Sequence, residues 1–309
     1  MTRPTPAATS DAEARLRIGV TLPTFGPHAG PEAIATIARA AERVGFDTLA
    51  VSERLLLPAA PGWDNPFGLP ESYVWDPIEA LTWAAAHTTR VRLATGIVNA
   101  TFQPPIILAR RFATLDRLSG GRLDVGLGQG WLPEEFVATG VPTSRRGRGF
   151  EDHLAAMRAC WGPDPVEFES ADHHIPRSTV GPKPVRGADI PLVLGAVARP
   201  AVERAARLGA GFVTGVRDWE ASADEIGWYR DAGGRGDVVV QVMSGWGANG
   251  DEPPSAFRAW AVPEIGHAAS VGADEIRFEL NLTGVAVDNQ VAAFEVLAEA
   301  LALPTTGAD

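Results

Sequence analysis

Eight short apolar runs punctuate the chain, and after each one apolar residues return every three or four positions. The runs are Arg17–Leu22 (RIGVTL), Thr48–Ser52, Val91–Ile97, Arg122–Leu127, Pro191–Gly195, Gly211–Gly215, Asp237–Met243 (DVVVQVM) and Glu275–Leu280. Their length and their Val, Ile and Phe content predict strands. The intervening segments predict helices at Pro31–Val44, Pro77–His87, Pro105–Leu118, Phe150–Trp161, Arg199–Leu208, Trp219–Ala232, Ser255–Ser270 and Gln290–Leu301, several of which open on proline. Eight β-α units in sequence predict an α/β fold, a single-domain (β/α)8 TIM barrel over residues 16–305, with active-site groups at the C-terminal strand ends. Residues 1–15 are expected to be a disordered tail. Two connections, Glu53–Asp76 and Gly162–Ile190, are far longer than a usual β-α turn and are expected to be insertion loops that serve as lids or binding loops.

Composition narrows the partners. The 309 residues are 45% hydrophobic, enough for a large core. A net charge of -11 without a dense Lys/Arg run argues against nucleic acid as a partner. No apolar run is long enough for a membrane span, and MTRPTPAATSDAEAR lacks the apolar centre of a signal peptide, so no membrane partner and a cytoplasmic location are expected. The single cysteine, Cys160, lies in a helical pattern and reads as a small buried apolar residue.

The densest local signal is SGGRLDVGLGQGW, residues 119–131. A dinucleotide fingerprint needs G-x-G-x-x-G at the first strand-helix turn. Here Gly126, Gly128 and Gly130 give G-x-G-x-G on the fourth strand, so both spacing and place are wrong for that motif. Two readings remain: the glycines clear space for a flat ligand close to the backbone, or they relieve crowding in the barrel mouth.

Other constellations carry less. His153, His173 and His174 lack the helical spacing with a carboxylate that a metal site needs, so no metal is expected. Ser119 and Ser244 lack a nucleophile elbow. Trp63, Trp75, Trp131 and Trp246 fall near predicted mouth loops and suit a flat cofactor, whereas Trp161, Trp219 and Trp228 fall on helices and suit packing. Asn99, Glu279 and Asn281 end strands three and eight and are candidate polar contacts to substrate. Arg148 and Glu151, three apart, are expected to pair on one helix.

With these units in place, LDRLSGGR at residues 115–122 followed by GLGQGW at residues 126–131 resembles the LDxLSxGR…GxGxGW pattern of the luciferase-like monooxygenase superfamily. RIGVTLP, AERVGFDTLAVSE, DPIEALTWAAAHTTRVRLATGI and RGRGFEDHLAAMRACW extend the resemblance over most of the chain. It implies a flavin- or deazaflavin-dependent oxidoreductase, usually a homodimer, whose ring lies against a bulge in the third strand. Here that bulge falls at Gly96-Ile97, with a non-prolyl cis peptide. The deazaflavin branch often carries Asp-His after the second strand; Glu53-Arg54 stands there instead, which leaves Glu53 as the candidate proton donor if burial raises its pKa. Gln129 replaces an arginine that meets the flavin phosphate in bacterial luciferases, and a neutral amide cannot neutralise that charge. The resemblance further points to Gly128, Gly130 and Trp131, to the Gly195-Ala196-Val197 turn with Arg199 at the following helix N-terminus, and to Thr214 and Gly215 as cofactor contacts. Likeness to actinobacterial members of the deazaflavin branch implies coenzyme F-420 with a small organic substrate. An FMN-dependent monooxygenase using oxygen is the alternative, and a non-catalytic binding barrel the second.

Overall fold

The computed structural model describes residues 15–65, 68, 73–243, 245–247 and 250–304; Ser244 and residues 1–14 of the expected tail lie outside them. In chain order the strands and helices are β1 (Arg17–Thr21), α1 (Pro31–Arg43), β2 (Thr48–Val51), α2 (Pro77–Ala86), β3 (Arg92–Thr95), β4 (Val98–Asn99), α3 (Pro105–Leu118), β5 (Leu123–Gly128), α4 (Pro133–Thr139), α5 (Arg148–Trp161), β6 (Val166–Glu169), β7 (His174–Ser178), β8 (Leu192–Gly195), α6 (Arg199–Arg207), β9 (Gly211–Gly215), α7 (Trp219–Asp231), β10 (Val238–Met243), α8 (Pro254–Ser270), β11 (Glu275–Glu279) and α9 (Val287–Ala300). The sheet order is β3-β2-β1-β11-β10-β9-β8-β5, every neighbour parallel, and pairing of β3 with β5 closes the ring. With β4 continuing β3, this is an eight-staved TIM barrel, as the alternation of runs predicts.

Local chemistry sets the helix starts. Proline stands in the first turn of α1, α2, α3, α4, α6 and α8, where its missing N–H has no helical partner to lose. Asp76 caps α2 by accepting from the Ile78 and Glu79 N–H groups, and Asp218 caps α7 through Ala221. Val, Leu, Ile and Phe on the outward strand faces bury against the helices, so the main core is the annulus between sheet and helix ring.

The SGGR part of the signature is structural. Arg122 donates to the carbonyls of Ala85, Thr88, Val91 and Ser119 and to the Thr88 hydroxyl, tying the α2–β3 turn to the α3–β5 turn. Asp116, buried, accepts from the Val185 and Leu123 N–H groups. Inside the lower half of the barrel, Arg92 pairs with Asp124 and Arg277 with Glu275 at 2.5 Å. These pairs keep the charges of an apolar-walled interior compensated.

Three features depart from the sequence expectation. The Gly162–Ile190 connection contains an antiparallel hairpin, β6–β7. A short helix, α4, follows the glycine run, because Pro133 and two glutamates start it and Gly140, at φ 69°, ends it. Glu151 bridges to Arg204 at 2.7 Å and Arg207 at 3.6 Å on α6 instead of pairing with Arg148 on its own helix.

Candidate active site

Why the third stave breaks can be read from its register against β5. Ala94 pairs with Asp124 and Val98 with Leu127, so three residues on one strand face two on the other. That is a one-residue β-bulge, and the Gly96–Ile97 peptide within it is cis. The Thr95 hydroxyl fills the gap in the ladder, accepting from the Gly126 N–H and donating to the Gly126 carbonyl, both at 2.7 Å. The neighbouring stave holds the other side: the Ser52 hydroxyl donates to the Gly96 carbonyl at 2.9 Å and the Gly96 N–H donates to Val51 at 2.6 Å.

The glycine run makes room for this bulge. A Cβ on Gly126 would sit 1.8 Å from the Thr95 carbonyl oxygen, and one on Gly128 would sit 1.8 Å from Ile97 Cδ1. A Cβ on Gly195, on β8, would lie 2.8 Å from the same Ile97 methyl. Gly130 adopts φ 72°, where a side chain would be strained and would also meet Phe102 and Phe136.

Above the bulge, at the C-terminal strand ends, lies a cavity of 420 Å³. Ile97 and Val213 with Ala196 and Val197 form its apolar wall; Gly96, Gly195 and Gly215 contribute bare backbone. Asn99, Gln129, Gly130 and Trp131 line the side nearest β5. Sequence reasoning missed Arg146, Ala198, Ala201, Val213 and Gln241, which also line it. Gln241 had a signal, being the one polar residue within β10 (VVVQVM); Arg146 sits in an irregular loop with none.

Other candidates lie off this cavity. Gly128 is covered by Ile97. Thr214 points the other way and donates to Glu225 at 2.6 Å. Arg199 bonds Glu203 at 2.8 Å and sits over the Trp228 ring. Gln129 Oε1 accepts from the Gly147 N–H at 2.6 Å, which fixes the loop that presents Arg146. Glu279 and Asn281 serve the β1–β11 junction: Glu279 accepts from the Thr21 hydroxyl and from Asn281, and Asn281 accepts from the Thr24 and Phe25 N–H groups. Burial pushes the Glu279 carboxyl pKa up against those hydrogen bonds, and its Oε2 receives the Gln241 amide at 3.3 Å. Trp246 is buried against Phe257, so of the four mouth tryptophans only Trp131 lines the cavity among the described residues, with the Arg54 guanidinium 4.7 Å over its ring. Arg54 in turn pairs with buried Glu135 at 3.0 Å. Neither long loop contributes a described residue to the cavity wall.

Glu53 brackets the bulge. Its N–H donates to the Ile97 carbonyl at 3.1 Å and its Oε2 accepts from the Asn99 N–H at 2.7 Å. Burial pushes its carboxyl up to about 7, with Asp76 and Glu135 adding repulsion and the Asn99 N–H and Arg111 opposing. A carboxyl that is more basic folded than unfolded holds its proton better in the native state, so stability falls as pH rises from about 4.5 to about 7. Glu53→Gln keeps an acceptor for Asn99 and removes that slope. Since Glu53 is only half-buried, the variant is expected to exceed wild type by about 1–2 kcal/mol at pH 8 and to match it near pH 4.5 in urea denaturation.

The sequence profile of the luciferase-like monooxygenase family matches residues 15–302. The chain belongs to the luciferase-like monooxygenase family. Within it, an uncharacterised protein of Mycobacterium tuberculosis is 37% identical over 192 residues, 60% of this chain and 68% of its own. The F-420-dependent glucose-6-phosphate dehydrogenase of Kineococcus radiotolerans is 29% identical over 187 residues, 59% of this chain and 52% of the enzyme, so the match spans about half of that relative. Among solved structures, the monooxygenase RslO1 from Streptomyces bottropensis superposes with a TM-score of 0.75 at 24% identity, covering 93% of this chain and 99% of its own. The bulge and mouth cavity of this luciferase-like chain therefore stand on a barrel shared with redox enzymes.

Proposed function

We propose that this chain is an F-420-dependent oxidoreductase that moves a hydride between the deazaflavin ring and a small organic substrate. The observation that carries the reading is the mouth cavity itself: a slot with apolar walls, four side-chain-free positions, and charge at one end only. Ile97, Ala196 and Val213 would hold the ring and exclude water from it. In the first turn of α6 Pro200 has no N–H and the Ala201 N–H donates to the Ala198 carbonyl at 2.8 Å, so Arg146, with the Arg199 N–H, would take the phosphate-bearing tail. When bound, the ring supplies the hydride chemistry, and the protein supplies position and a dry surface. Asn99 and Gln241 offer polar groups at the inner wall. Glu53, which touches the cavity only through Asn99, is a positioning residue for the bulge in this reading.

The dehydrogenase relatives support F-420; the monooxygenase with the same fold supports use of oxygen as the second reading, for which the sequence resemblance implies FMN. Fluorescence quenching during titration with oxidised F-420 and with FMN separates them. Micromolar binding of F-420 and weaker binding of FMN is the expected result; the reverse order would overturn the assignment, and binding of neither would favour a non-catalytic barrel.

A homodimer fits the outer surface. Ile107 and Leu118 are eleven residues apart on α3, hence on one face, and are 44% and 66% exposed. Trp83 on α2, 46% exposed, shares a groove with Leu118. A double substitution, Ile107→Glu with Leu118→Glu, is expected to give a monomer in sedimentation equilibrium with the barrel's circular dichroism unchanged.

A further inference from the structure

A second cavity, of 420 Å³, lies outside the barrel mouth between the start of α3, the loop after α4, helix α5 and the turn of the β6–β7 hairpin. Three side chains that line it carry buried polar atoms with no hydrogen-bond partner among the described residues: Thr101 Oγ1, Arg145 Nε and His153 Nε2. Thr101 is 7% and His153 1% exposed. A buried hydroxyl or imidazole left without a partner costs about 1–3 kcal/mol, and three around one cavity point to something that satisfies them together.

Their chemistry limits what that is. The Arg145 Nη1 pairs with Asp172 at 2.9 Å, and its Nη2 donates to His173 Nε2 at 2.9 Å, which leaves Nε–H free to donate. Burial lowers the His153 pKa to about 3, with His173 and Arg145 repelling a proton further, so the ring is neutral and can donate from Nε2. The Thr101 hydroxyl is a third donor. Helix α3, fourteen residues long, starts at this cavity without a side-chain cap and adds the positive end of its dipole. Asp172 offsets Arg145 and Asp152 stands close to both histidines, so the cavity has no net positive charge, and what it offers a carboxylate is three unpaired donors and the helix dipole. Phe102, Pro104, Pro105 and Val141 give the remaining wall an apolar surface larger than a bare anion needs.

We propose that this cavity is a binding site for a small monocarboxylate with an apolar tail, distinct from the mouth cavity. The two cavities are neighbours along the chain, since Arg145 lines this one and Arg146 the mouth cavity.

Calorimetric titration of the full chain with butyrate tests this, with butyramide as the neutral isostere. Saturable one-to-one binding of butyrate is expected, with butyramide weaker by about tenfold. Thr101→Val removes a hydroxyl that bonds nothing among the described residues, so its melting temperature should hold while butyrate weakens by about fivefold. Butyrate should also shift the His153 Nε2 resonance in nitrogen-edited spectra, and binding should persist with the mouth filled by F-420. Absence of butyrate binding, equal binding of butyramide, or an unmoved His153 resonance would each overturn the proposal, as would displacement of butyrate by F-420 or undiminished affinity in Thr101→Val.

Discussion

Gly126→Ala is expected to destabilise the protein by about 3 kcal/mol or more and to lower its melting temperature by several degrees in thermal unfolding. The added methyl would lie 1.8 Å from the Thr95 carbonyl oxygen, a backbone atom that cannot step aside without moving β3. Any such movement also pulls Thr95 Oγ1 from its two 2.7 Å hydrogen bonds to Gly126, leaving a buried hydroxyl and a buried N–H unpaired. Gly128→Ala makes a collision of the same length, 1.8 Å, but against Ile97 Cδ1, the free end of a side chain. Ile97 can rotate into the mouth cavity it lines. That variant should therefore lose little stability and should weaken coenzyme binding, and equal melting losses in the two variants would show that the bulge is not held from the Gly126 side.

These two glycines show where the sequence was legible and where it was not. The eight-fold alternation of apolar runs and amphipathic segments identifies the barrel because its two periods come from backbone geometry and are repeated in every unit. The bulge at Gly96-Ile97 and the wall formed by Gly195, Ala196 and Val197 came from the resemblance, whose motif fixes the register of the third and fourth staves. What the motif does physically was not legible: SGGR ties the lower barrel through Arg122, and G-x-G-x-G accommodates a neighbouring strand's irregularity. Strand alternation could have separated Thr214 from its neighbours, since Val213 and Gly215 share a face that Thr214 does not. Glu279 and Asn281 misled because a polar residue at a strand end looks the same whether it meets a ligand or, as here, the chain's own β1–α1 loop. Arg146 was invisible because its place depends on a loop held by Gln129 across eighteen residues, and no local pattern encodes such a contact.

The same alternation yields the sharpest test of the mouth cavity. Gly215→Trp is expected to weaken coenzyme binding by at least about 100-fold while leaving the melting temperature within a degree or so of wild type. Gly215 ends β9 and lines the cavity, and no atom lies within 4 Å of where its Cβ would stand, so an indole fits there without a collision and can lie across the cavity. Thr214→Val, one residue earlier, should do the opposite. Its hydroxyl donates to buried Glu225 at 2.6 Å on the outer face of the stave, and losing it leaves that carboxylate with Arg217 alone. Burial already pushes the Glu225 pKa up, and removing a hydrogen bond that favours the ionised form pushes it further. The valine variant should melt lower at pH 8 than wild type and bind coenzyme normally. Quenching titrations and melting curves on the pair distinguish a cofactor slot from a gap between loops: coenzyme affinity untouched by an indole at Gly215 would place the ring elsewhere on the barrel.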